Sequence, residues 1–216
     1  MIEAVVFDLD GVLLKSEEVW DGVREAYVRE RGGRYDEEVQ RALMGMSSTE
    51  WSRYLHDEAG VADEPDAIND EVVRRMLEAY RVRLPLLPGA VDAVERLAAR
   101  WPLGLASSSN RPLIDTVLDV SGLARFFRAT VSSEEVARGK PAPDVYLDAA
   151  RRLGFAATAC AAIEDSHSGI RSAKAAGMRV VAIPNPTYPP DDEALAEADV
   201  VLASLAELLP DRVAAA

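Results

Sequence analysis

The chain has 216 residues, 49% apolar and 28% charged, a length that implies one or two domains with a core large enough to need no disulfide staple. Its net charge of −13, with no block of consecutive Lys or Arg, opposes nucleic acid and anionic lipid, and its lone cysteine, Cys160, excludes an internal disulfide or a cysteine metal cage. No basic-then-apolar signal opens the chain at Met1-Ile2-Glu3-Ala4 and no uncharged apolar stretch nears the roughly 18 residues of a membrane span, so the sequence reads as a soluble cytoplasmic protein.

The first short apolar run is Ala4-Val5-Val6-Phe7. It is continuous rather than alternating, as expected of a strand covered on both faces. From Ser16 to Leu84 no strand is convincing. Trp20, Val23, Ala26 and Tyr27 share one helical face. Ser47 to Glu50 has capping-box spacing, and Trp51, Tyr54, Leu55 and Ala59 follow on one face. Ile68, Val72, Val73, Met76, Leu77 and Tyr80 form a third stripe. Leu14-Lys15-Ser16 and the stretch Pro85 to Gly89 punctuate the two ends of this segment. An all-helical insertion over residues 16–84 reads as a lid or cap, with residues 1–15 and 85–216 forming an α/β core.

Past the insertion, helical patterns over 90–99, 112–122, 143–153 and 168–176 alternate with apolar runs at 103–106, 129–131, 159–163 and 180–183, and a weaker run at 200–202. Gly122, Gly154 and Gly177 stand at helix ends. This alternation predicts an α/β fold, a three-layer Rossmann-like parallel sheet wrapped by helices, with the all-helical cap inserted. The terminal Ala214-Ala215-Ala216 reads as a frayed tail.

Four polar groups lie where strands end. Asp8 and Asp10 follow the first run and, at a spacing of two, leave the backbone on the same side. Two such anions repel unless a cation shares them. Glu164-Asp165 ends the run 159–163 in the same way. If those strands are neighbours, the result is an oxygen-rich cluster without Cys or His, which suits Mg²⁺ better than zinc. Ser107-Ser108-Ser109-Asn110 precedes a helix and offers hydroxyls and N–H groups to an anion, and Lys140 is stiffened by Pro141 and Pro143. Taken singly, each has an ordinary reading: a strand-end turn, a serine N-cap, a solvated lysine.

In this order, Asp8-Leu9-Asp10-Gly11-Val12, Ser107, Lys140-Pro141-Ala142-Pro143 and Glu164-Asp165-Ser166-His167-Ser168-Gly169-Ile170 resemble the motifs of the haloacid dehalogenase-like hydrolase superfamily. Ala173 to Met178 and Pro184-Asn185-Pro186 extend the likeness over roughly residues 3–205. The chain is most similar to the helical-cap branch, which includes sugar-phosphate phosphatases and β-phosphoglucomutase. The resemblance implies that Asp8 attacks phosphorus and that Asp10 protonates the leaving oxygen and then deprotonates water. It implies Mg²⁺ held by Asp8, the Asp10 carbonyl, Asp165 and Glu164, directly or through water. Ser107 and Ser108 would bind the phosphoryl group and Lys140 would offset its charge. Members that attack carbon lack the second aspartate, so Asp10 points to phosphoryl transfer.

Trp20, Gly45, Met46, Ser47 and Ser48 are expected to face the organic part of the substrate, although Trp20 would serve equally as packing between cap helices. Met44 and Ser48 stand where the mutase-like loop carries a lysine and an arginine. Without that grip on a distal phosphate, hydrolysis of a small phosphorylated metabolite, a sugar or polyol phosphate, is favoured. A hexose-phosphate mutase is the alternative, and a non-catalytic phospho-acceptor module a third reading. The expected assembly is a monomer or weak homodimer. Cys160 reads as an inert core thiol, His167 as a capping or packing residue and His56 as solvated.

Overall fold

A computed structural model describes residues 1–43 and 46–214. Six strands form one sheet: β1 (Ala4–Phe7), β2 (Leu103–Ser107), β3 (Phe127–Ser132), β4 (Cys160–Glu164), β5 (Arg179–Ala182) and β6 (Val200–Val201). The spatial order is β3-β2-β1-β4-β5-β6, and every pairing is parallel. Ala4 pairs with Cys160 and Phe7 with Ile163, so β1 and β4 run side by side and their carboxyl ends are level. The two acidic pairs predicted from the sequence therefore emerge next to each other.

Alternation along the strands divides the core. Val5, Phe7, Leu105 and Ile163 face one side, whereas Val6, Ala106 and Ala162 face the other. The first side packs on α5 (Ala90–Ala98) and α6 (Arg111–Ser121) through Val94, Leu97, Ile114 and Val117. The second packs on α7 (Asp144–Leu153) and α8 (His167–Ala175) through Tyr146, Ala149, Ile170 and Ala173. Coverage of both faces explains the near-unbroken apolar runs. The edge strand β3 is longer than its apolar run of 129–131 because Phe127 and Arg128 are only partly covered or exposed. Gly122 and Gly154 end α6 and α7 in the left-handed conformation that glycine tolerates.

Between β1 and α5 lie α1 (Glu17–Glu30), α2 (Glu37–Ala42), α3 (Ser48–Asp57) and α4 (Pro65–Val82). Tyr27, Leu55, Ile68, Val72 and Met76 are buried among these helices. The segment's two ends lie side by side: Lys15 N–H donates to the Pro85 carbonyl at 2.8 Å and Leu87 N–H to that of Leu13 at 2.9 Å. Short α9 (Asp192–Glu197) and α10 (Pro210–Ala214) complete the chain, and Asp191 caps α9 by accepting the Ala194 N–H at 2.7 Å. Among the described residues no helix is long and apolar enough to cross a membrane.

Candidate active site

A cavity of about 200 Å³ opens at the carboxyl ends of β1, β2 and β4, between the sheet and the helical insertion. Asp8 continues β1, its N–H donating to the Ile163 carbonyl at 3.0 Å. Leu9 turns into the core while Asp8 and Asp10 both line the cavity, the same-side placement expected from the period of two. Gly11 then takes φ +81°, and a Cβ there would lie 1.9 Å from Asp165 Oδ2. The first acidic motif can thus approach the second only through glycine.

Asp8, Glu164 and Asp165 are all buried, and one oxygen from each lies within 4.8 Å of the others. Lys140 Nζ donates to Asp8 Oδ1 at 2.7 Å and to Glu164 Oε1 at 2.6 Å. Tyr146 adds a hydroxyl donated to Glu164 Oε1 at 2.6 Å. The other Glu164 oxygen accepts the Asp165 N–H at 3.1 Å and the Ser166 hydroxyl at 3.2 Å. Gly169 permits this crowding, since its Cβ would stand 1.9 Å from Glu164 Oε1. Burial lifts the carboxyls of Asp8 and Asp165 above the usual carboxylate range, with Lys140 opposing and Glu164 adding to the shift. Three buried carboxylates share one ammonium. A hard divalent cation fits the remaining charge and the all-oxygen donor set.

At the end of β2, Ser108 lines the cavity, whereas Ser107 is fully buried behind it. Ser107 Oγ lies 3.5 Å from Asp10 Oδ2 and accepts the Ser109 N–H at 3.0 Å. Ser109 makes the shorter contact, donating its hydroxyl to Asp10 Oδ2 at 2.6 Å. The other Asp10 oxygen, Oδ1, is buried without a partner among the described residues. Ser132 and Ser133 brace this loop by donating to the Ser109 and Ser108 carbonyls at 2.7 and 3.0 Å.

On the helical side, Trp20 and Met46 line the cavity as expected from the sequence. Ser47 and Ser48 do not. The Ser47 hydroxyl and N–H are both taken by Glu50 Oε2 at 2.7 Å, as the N-cap of α3 demands, and Ser48 faces a separate polar recess with Asn69 and Glu134. Gly45 and Met44 lie outside the described residues. Trp20 packs against Trp51, ring centres 6.1 Å apart, yet both rings also border the cavity, so packing and lining coincide.

Three lining residues, Arg24, Tyr35 and Tyr188, carried no sequence signal, and Asn110 and Asn185 stood in sequence motifs without a role of their own. Asn185 donates to Glu17 Oε1 at 2.6 Å and Asn110 to Asn69 Oδ1 at 3.2 Å, so both bridge the core and the insertion. His167 also lines the cavity and is exposed. His56 is half-buried, its Nδ1 3.0 Å from the Asp63 carbonyl. Burial pushes the Cys160 thiol up to about 11, consistent with an unreactive core residue.

The chain as a whole is similar to known proteins. Hexitol phosphatase B of Escherichia coli (strain K12) is 33% identical over 211 residues, covering 96% of this chain and 94% of that protein. The bifunctional riboflavin kinase/FMN phosphatase of Arabidopsis thaliana is 31% identical over 206 residues, or 94% of this chain; the chain spans 54% of that longer protein. Among solved structures, CbbY from Rhodobacter sphaeroides in complex with phosphate matches with a TM-score of 0.85 at 28% identity, covering 96% of each chain. The sequence profile for haloacid dehalogenase-like hydrolases matches residues 2–177, and the chain belongs to that family.

Proposed function

We propose that this chain hydrolyses a small phosphorylated metabolite, a sugar or polyol phosphate, in a Mg²⁺-dependent reaction through an aspartyl-phosphate on Asp8. It is a phosphoric monoester hydrolase, as its family and phosphatase relatives indicate. The observation that carries the finer reading is the convergence of Asp8, Glu164 and Asp165 on Lys140 beside a cavity that Asp10 also lines.

Asp8 attacks phosphorus with one carboxylate oxygen while Asp10 gives its proton to the departing ester oxygen. An alcohol leaves and phosphate remains esterified to Asp8. Asp10 then takes a proton from water as that water attacks the phosphorus, which releases inorganic phosphate and restores Asp8. Ser108 receives a phosphoryl oxygen at the end of β2, Ser107 sits buried behind it against Asp10 rather than on the cavity as the sequence led us to expect, and Lys140 holds Asp8 and offsets charge that builds on the phosphoryl group. Asp8, the Asp10 carbonyl, Glu164 and Asp165 would hold Mg²⁺, which when bound neutralises charge shared by nucleophile and phosphoryl oxygens. Residues 16–84 act as a cap that excludes water from the transfer. The placement of Ser48 outside the cavity leaves a mutase's distal phosphate without a grip there, which supports hydrolysis.

Phosphate release from a panel of sugar and polyol phosphates tests this reading. Turnover should require Mg²⁺ and stop in chelator. Asp8→Asn should abolish turnover in a folded protein, a loss of roughly 10⁴-fold or more, because an amide cannot replace the nucleophile. Metal-independent release, or a folded, active Asp8→Asn enzyme, would falsify the covalent route. Conversion of β-glucose 1-phosphate to glucose 6-phosphate without free phosphate would establish the mutase instead.

A further inference from the structure

Arg24 projects from α1 into the same cavity and is half-buried there, whereas Arg53, Arg81 and Arg83, which also lack an ion pair among the described residues, are exposed. Arg31, Arg34, Arg74 and Arg75 all pair with carboxylates. Arg24 forms no ion pair among the described residues, and its Nε is buried without a hydrogen-bond partner. Its guanidinium carbon lies 4.6 Å from the centre of the Trp20 ring and 4.9 Å from that of Trp51. Two carboxylates that pull on it are engaged elsewhere: Tyr35 donates its hydroxyl to Asp21 Oδ1 at 2.6 Å and Ser109 donates to Asp10 Oδ2 at 2.6 Å. Burial lowers the guanidinium to about 10, against the pull of Tyr35, Asp10 and Asp21, and it remains charged at neutral pH.

A half-buried cation with no ion pair and a buried, unpartnered Nε is costly unless something else completes it. The two ring centres are 6.1 Å apart, so the indoles meet the guanidinium from one side and leave its N–H edge without a protein acceptor among the described residues. Asp8, Ser108 and Lys140 belong to strand ends and their loops, whereas Trp20, Arg24 and Trp51 belong to α1 and α3. The guanidinium therefore meets the bound ester from the insertion rather than from the strand ends that hold the phosphoryl group. One guanidinium carries one charge, and Glu17 and Asp21 line the same wall. A second phosphate, with nearly two charges, would be undercompensated there, and a neutral hydroxyl would leave the cation unpaired. A carboxylate matches both the planar fork and the single charge.

We propose that Arg24 is the specificity-determining residue of this enzyme and that it binds a carboxylate on the substrate, which is then a phosphorylated hydroxy acid or sugar acid. The inference rests on the phosphatase reading above and narrows its substrate class. Two matched pairs separate the alternatives: glycerol 3-phosphate against 3-phosphoglycerate, and glucitol 6-phosphate against 6-phosphogluconate, with glucitol 1,6-bisphosphate as a third arm. In each pair only the end group changes from alcohol to carboxylate. The wild-type enzyme should favour the acid in at least one pair by about tenfold or more in kcat/KM, a ratio typical when a buried polar site meets or lacks its partner. Arg24→Gln should erase that preference, with most of the change in KM for the acid. Arg24→Lys, which keeps the charge but loses the fork, should recover only part of it.

Release of phosphate from both members at equal efficiency overturns the assignment of Arg24 and leaves the phosphatase reading intact. A preference for the bisphosphate over the acid also overturns it, in favour of a second phosphate. No release from any of the five esters, with activity absent across the wider panel, removes the phosphatase reading and this inference with it. The wild-type ratios decide the matter even if Arg24→Gln fails to fold.

Discussion

The two walls of the cavity are built on different principles. The sheet-end wall is held by backbone geometry and by side chains that satisfy one another: Lys140 bridges Asp8 and Glu164, Tyr146 donates to Glu164, and Gly11 and Gly169 leave room for carboxylates that any side chain would displace. The helical wall is made of Trp20, Arg24, Trp51 and Met46, with Arg24 lacking an ionic partner among the described residues. One wall is satisfied by protein contacts apart from Asp10 Oδ1 and the charge that a cation would supply. The other leaves a donor open for a ligand. A wall that performs one chemistry needs rigid placement to within fractions of an ångström, whereas a wall that selects substrates can vary through its side chains alone.

The contrast is broken most sharply at Gly169. Its added Cβ would lie 1.9 Å from a Glu164 carboxylate that Lys140, Tyr146 and the Asp165 N–H all hold in place. Gly169→Ala should therefore cost about 3 kcal/mol of stability, at the upper end for overpacking a filled interior, and should remove most activity by displacing Glu164. Urea titration and phosphate release measure both effects. A variant with wild-type stability and turnover would show that the sheet-end wall is compliant rather than locked.

Tyr146→Phe is a gentler change on the same wall. It deletes one donor to a buried carboxylate while Lys140 stays, so the ring keeps its packing and Glu164 keeps an ionic partner. A hydroxyl that orients a metal-binding carboxylate in this way is worth roughly 10- to 100-fold in metal affinity. The Mg²⁺ concentration for half-maximal phosphate release should rise by about tenfold, with maximal turnover changed less. A lowered maximum at unchanged Mg²⁺ dependence would instead place Tyr146 in the chemistry of transfer.

These residues mark where the sequence was readable and where it was not. The strands announced themselves because a sheet covered on both faces demands continuous apolar runs, and the clustered carboxylates because they follow those runs directly. Register then aligned β1 with β4, which no local pattern specifies but which the parallel fold makes natural. Tyr146 fell among the apolar positions of α7 and read as core; nothing local reveals that its hydroxyl reaches Glu164 on another element. Arg24 lies on a helix that also bears Glu17, Asp21 and Glu25, where a charge ordinarily signals solvent. Only the arrival of Trp51 from α3 encloses it. Helix α2 shows no stripe in the sequence because its six residues bury a single apolar side chain, Val39, and its start depends on Asp36 accepting the Glu38 and Val39 N–H groups.

Ser47 tests the boundary between the two walls at the smallest scale. Its motif carried two meanings in the sequence, a capping box and a substrate-facing loop, and the structure separates them: Glu50 takes both its hydroxyl and its N–H, and the side chain does not line the cavity. Ser47→Ala should then cost about 1 kcal/mol, the ordinary value of an N-cap, and leave kcat and KM within about twofold. Thermal denaturation and steady-state kinetics on the same preparation distinguish the roles. A raised KM at unchanged Tm would return Ser47 to the recognition wall and would mean that the start of α3 rearranges when substrate enters, because a hydroxyl committed to Glu50 cannot contact a ligand without first releasing that carboxylate.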